Sequence, residues 1–239
     1  YIVGRTADAA DASGAWRTTI NISLGGLAGP HDGSSLAELA LDELAADSRV
    51  QIVVSAGNAG DRQRIHAERL VSAGTPGDFF VELPAGQPQD SFVEVWLPDL
   101  DGDWQVAVQA PGVPAPAPVA TAGQVLSLRQ GGQAVAGLVF ARQVAQGLNG
   151  TMLLLALAPT AAPAVLPGVP PRALAPAGTW QLCLSSTAAT PATVHAWVER
   201  DDVLVGERQP QRTRFELDPR QPLQAQYVND RCTLSTLAH

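Results

Sequence analysis

"SFVEVWLPDLDGDWQVAVQA", residues 91–110, decides how most of this chain folds. "SFVEVWL" (91–97) and "WQVAVQA" (104–110) are short runs in which apolar residues recur at every second position. Between them "PDLDGD" (98–103) collects the residues that turn a chain. Period two bounded by turn signals marks strands rather than helices.

The same texture extends in both directions. "FFVEL" (79–83), "AVAGLVFA" (134–141), "TMLLLALA" (151–158), "TWQLCLS" (179–185) and "TVHAWVE" (193–199) repeat it. Seven strands at this spacing predict an antiparallel β-sandwich, jelly-roll-like, over residues 75–200. The Pro/Ala-rich "PGVPAPAPVA" (111–120) and "PTAAPAVLPGVPP" (159–171) read as surface connections, because proline cannot donate to a ladder. Trp96, Trp104, Trp180 and Trp197 fall on these strands. Such residues are more often core anchors than a carbohydrate-binding row.

Ahead of the sandwich, residues 1–74 read as α/β. "TTINISL" (18–24) and "VQIVVSAG" (50–57) are apolar runs flanking "SSLAELALDELAAD" (34–47), where Leu36, Leu39, Ala40 and Leu44 stand at helical spacing. Strand, helix, strand is a βαβ unit with a parallel pair and a right-handed crossover. The Ala-rich "TADAADASGAW" (6–16) is expected to add a helix. Residues 201–239 turn polar and read as an extended segment returning toward the first module. The predicted class is therefore α/β, a partial parallel sheet, plus an inserted antiparallel β-sandwich.

Bulk composition narrows the function. The chain has 239 residues, 46% hydrophobic and 16% charged, which suits a folded protein with a real core. Its net charge is −8, it has no lysine, and it shows no basic run, so a nucleic-acid partner is not expected. The apolar stretch near 151–171 is broken by Pro159, Pro163, Pro167 and Pro170, and so offers no membrane span. No Cys/His group has metal-ligand spacing, and no metal or cofactor is expected. Cys183 and Cys232 are compatible with a disulfide and at least as well with two buried thiols.

"GPHDGSSLAEL" (29–39) packs a histidine, an aspartate and two serines into a few positions. Triad members converge in space from separate parts of a chain, which such neighbours rarely do. Ser35 and Glu38 instead fit a capping box at the start of the helix, and Asp32 fits a local side-chain turn. His66 and His195 read as structural residues of the chain, and His239 as terminal.

"INISLGG" (20–26), the helix, and "IVVSAGNAG" (52–60) together resemble the central segment of the subtilisin-like serine protease family. The likeness covers about residues 1–67. It implies that Asn58 supplies an oxyanion-hole amide and that Ser23, Leu24, Gly25 and Gly26 pair with an extended polypeptide substrate. Ala56 and Gly57 then keep the backbone close to it. "GSSLA" (33–37) departs from the family's nucleophile motif, Gly-Thr-Ser-x-Ala-x-Pro: Ser34 replaces Thr and Leu39 replaces Pro. "DASG" (11–14) lacks the apolar run expected before a catalytic Asp. The resemblance thus implies a central piece of a bacterial serine endopeptidase, secreted or in the cell envelope. Its Asp and His would precede Tyr1 and its Ser would follow His239, so the piece is expected to be inactive alone. "FVEVWLPD", "AGTWQLCL" and "VHAWVER" resemble more loosely the jelly-roll domain that some members insert. The rival reading is a non-catalytic binding or assembly module carrying a degenerate protease-like segment.

Overall fold

The computed structural model describes residues 1–10, 14–57, 64–98, 103–114, 120–141, 150–162, 172–199 and 211–217, with the backbone of 228 and 229. Its short α1, Ile2–Asp8, ends before most of the Ala-rich stretch expected to be helical. Strands β1 (Thr18–Ile22) and β2 (Val50–Val54) pair in parallel, Thr18 opposite Val50 through Ile22 opposite Val54. Between them runs α2, Leu36–Ala45. The βαβ unit is therefore present.

The α/β class is nevertheless overturned. Among the described residues the parallel sheet has only these two strands, and every other paired strand is antiparallel. The chain is a β-rich protein. The physical reason is that period-two patterning occupies most of its length, whereas helical patterning is confined to one ten-residue stretch.

The antiparallel strands are β3 (His66–Val71), β4 (Gly77–Leu83), β5 (Ser91–Leu97), β6 (Trp104–Gln109), β7 (Ala120–Thr121), β8 (Val125–Gln130), β9 (Gln133–Ala141), β10 (Thr151–Leu157), β11 (Gly178–Ser186), β12 (Ala192–Val198), β13 (Arg214–Glu216) and β14 (Val228–Asn229). They form a seven-stranded sheet in the order β14-β3-β12-β5-β10-β9-β8 and a five-stranded sheet in the order β13-β4-β11-β6-β7. One core joins the two. Val93, Val95 and Leu97 of β5 and Leu153, Leu155 and Leu157 of β10 meet Phe79, Val81 and Leu83 of β4 and Leu182 and Leu184 of β11. Phe215 of β13 closes the core from the far end of the sequence, and Arg64, ahead of β3, bonds to Glu216 beside it.

Two glycine positions shape the sandwich. Gly131 and Gly132, at φ 58° and 81°, make the two-residue turn between β8 and β9, where Gln130 pairs with Gln133. Positive φ at both central residues matches the right-handed twist of the strands. At Gly77 an added Cβ would lie 2.7 Å from Val71 Cγ2 and 3.0 Å from Arg69 Cβ, so β3 and β4 approach more closely than any side chain permits.

All four strand tryptophans are buried, in two separate places. Trp104 and Trp180 belong to the core between the sheets. Trp96 and Trp197 are buried on the opposite, outer face of the seven-stranded sheet. Helix α2 behaves otherwise than its periodicity suggests. Leu36 is 86% exposed, Leu39 and Leu44 are also open, and Glu38 is the buried residue. Cys183 is half-buried on β11; Cys232 lies outside the described residues. Among the described residues no helix is long and apolar enough to cross a membrane.

Candidate functional site

Parallel pairing brings the carboxyl ends of β1 and β2 together, and with them the two segments that follow. Ser23, Leu24, Gly25 and Gly26 are exposed after β1; Ala56 and Gly57 are exposed after β2. The Ser55 amide donates to the Ile22 carbonyl at 3.0 Å, and Ser55 Oγ donates to the Leu24 carbonyl at 2.9 Å, tying the two exits. Asn21 Nδ2 donates to Ser23 Oγ at 2.8 Å. These six predicted site residues thus share one end of the parallel pair, the end where open α/β sheets place their crevices. Asn58, the seventh, lies outside the described residues.

The stretch that imitates a triad is used structurally. Ser35 Oγ accepts from the Glu38 amide, and the Glu38 carboxylate accepts from the Ser35 amide at 3.0 Å, completing the capping box. Asp32 Oδ1 accepts from both the amide and the hydroxyl of Ser34. His31 turns its ring away from these groups onto Trp197, with centroids 4.1 Å apart and planes 6° from parallel. Its Nε2 lies 2.9 Å from the Leu27 carbonyl. The Gly29 amide donates to Glu94 Oε2 at 2.8 Å, and the Trp96 indole donates to the same oxygen at 3.0 Å. The loop after the Ser23–Gly26 segment is therefore fastened to the outer face of the sandwich.

Beneath that loop lies a second polar group. His66 and Glu68 stand two residues apart on β3 and so project to one face. On β12, His195 pairs with Glu68 and Trp197 pairs with His66. His66 Nε2 and His195 Nδ1 lie 3.0 Å apart, and ligand atoms of His66, Glu68 and His195 all fall within 4.8 Å of one another. His66 is fully buried; Glu68 and His195 are half-buried. Burial holds the His195 imidazolium below its ordinary pKa, with Glu68 opposing the shift. Sequence spacing had no means of revealing this group, because 129 residues separate the histidines and only sheet register unites them.

No protein-family model matches the chain, and no curated protein matches it. Among solved structures, its fold is similar to that of the Clostridium perfringens CspB protease. The TM-score is 0.59 at 18% identity, over 82% of this chain and 36% of that one. The chain therefore spans little more than a third of that structure's length. At this identity the likeness shows a protease-like fold and nothing narrower. The assignment to the subtilisin-like family that the motifs implied is accordingly not sustained: two short motifs agree, but no family-wide pattern does.

Proposed function

We propose that this chain works in proteolysis, as the part of a peptidase that receives an extended polypeptide. One observation carries the reading. On a chain whose fold resembles a protease, the exposed Ser23–Gly26 and Ala56–Gly57 segments converge at the carboxyl ends of a parallel strand pair. Small side chains there let a substrate backbone approach, and extended substrates are commonly held by strand-like pairing. Asn58, next along the chain from Gly57, takes the role of amide donor to the developing oxyanion. The nucleophile and base are not assigned within this chain, since Ser35 serves a helix cap, Ser34 a turn and His31 a ring stack.

The test is turnover of an unfolded polypeptide by the natural protein and by Asn58→Leu. Loss of one oxyanion donor lowers kcat by about 100-fold or more, with KM little changed. Equal turnover by the two proteins removes Asn58 from the chemistry. If the natural protein binds the polypeptide but never cleaves it, the peptidase reading falls and the sandwich becomes a binding module.

A further inference from the structure

We propose that His66, Glu68 and His195 form a binding site for a divalent late first-row transition cation, of which Zn2+ is the test case. The site lies on the outer face of the seven-stranded sheet.

The geometry carries the inference. All three side chains belong to adjacent strands β3 and β12, so the backbone ladder fixes their spacing before any ion arrives. His66 Nε2 and His195 Nδ1 are 3.0 Å apart. Two imidazole nitrogens, each about 2.0–2.1 Å from one tetrahedral ion, stand about 3.3 Å apart. A ring movement of a few tenths of an ångström (about one small χ adjustment) therefore admits the ion. Glu68 supplies a carboxylate within the same 4.8 Å cluster.

The donor set also fits the cation class. Two imidazoles and one carboxylate favour zinc, copper or nickel over calcium or magnesium, which prefer all-oxygen shells. Three protein ligands leave a fourth tetrahedral position to solvent on the half-exposed side of Glu68 and His195. Binding calls for no oxidant and no net proton loss. The ring that donates in the His66–His195 hydrogen bond shifts its proton to its other nitrogen, and both facing lone pairs then point at the ion. The alternative is a histidine pair that merely stacks beside Trp197, whose ring lies 5.0 Å from His66 and 5.7 Å from His195.

This site stands apart from the proposed peptide wall, and its test does not use peptidase activity. The chelator-treated chain is titrated with Zn2+ by calorimetry and with Co2+ by visible absorption. One ion per chain is expected, with the intense visible bands of tetrahedral Co2+. His195→Ala should weaken binding at least about tenfold, and Glu68→Gln by a smaller factor, since each removes one direct ligand. Circular dichroism reports the fold of each variant. Glu68→Gln, half-buried and isosteric, keeps the test decisive if His195→Ala does not fold. No stoichiometric binding by the folded natural chain overturns the proposal. So does binding that Glu68→Gln and any folded His195 variant leave unchanged.

Discussion

The imidazole of His31 lies flat on the indole of Trp197, 4.1 Å between centroids, although 166 positions separate them in the chain. His31 adopts a left-handed backbone, φ 53°, to reach that place. Non-glycine residues enter this region at a cost, so the stack and the Leu27 contact together outweigh it. His31→Ala should lower stability by about 1–2 kcal/mol in urea unfolding. His31→Phe should recover part of that loss, because it keeps the ring but not the carbonyl contact. Equal losses in both variants would show that stacking contributes little.

Gly77 is the tightest backbone approach among the described glycines. Gly77→Ala should cost about 1–3 kcal/mol, as overpacking does, because Val71 belongs to the core and cannot simply turn outward. Gly74→Ala provides the contrast: nothing lies within 4 Å of its added Cβ, and only its φ of 78° opposes the change. Thermal unfolding of the two variants separates crowding from backbone strain.

Ser35→Ala removes the side-chain acceptor of the capping box at α2. The expected loss is about 1 kcal/mol, with helix content falling in circular dichroism. Glu38→Gln keeps the reciprocal bond to the Ser35 amide and should be milder.

The Arg49 guanidinium grips Asp47 through two side-chain bonds, Nε to Oδ1 at 2.9 Å and NH2 to Oδ2 at 2.6 Å. These bonds, helped by the Arg49 amide, lower the Asp47 carboxyl to about pKa 2. Its folded value is below its unfolded one. Any stabilisation is therefore complete above the ordinary carboxylate range near 3.9 and disappears as pH falls toward about 2. Carbon-detected NMR titration should place the Asp47 midpoint near 2, and Arg49→Ala should return it to the ordinary range. Because the pair is exposed, the effect on unfolding should be slight.

Much of the sandwich was legible in the residues alone. The seven runs with period two all became strands, since alternation reports directly on one buried face. The strands that escaped had weak or mixed alternation. In β3, "HAERLV" places His66 and Glu68 on the outer face, and in β8, "VLSLRQ" is an exposed edge. "QGGQ" (130–133) was a usable hairpin signal for β8, because paired glycines favour the turn it makes. The class was misjudged because one clear βαβ unit outweighed its short length. The histidine cluster depends on register between distant strands, which a linear sequence does not display.

The outward apolar stripe of α2 has a consequence for handling the protein. Leu36, Leu39 and Leu44, with Val53 and Leu24 also exposed nearby in the chain, make its amino-terminal third the adhesive side of the molecule. A net charge of −8 holds copies apart in dilute buffer. Added salt shortens that repulsion and strengthens apolar contact at once. Crowded, salty solutions should therefore gather this protein by one end, leaving the sandwich facing water.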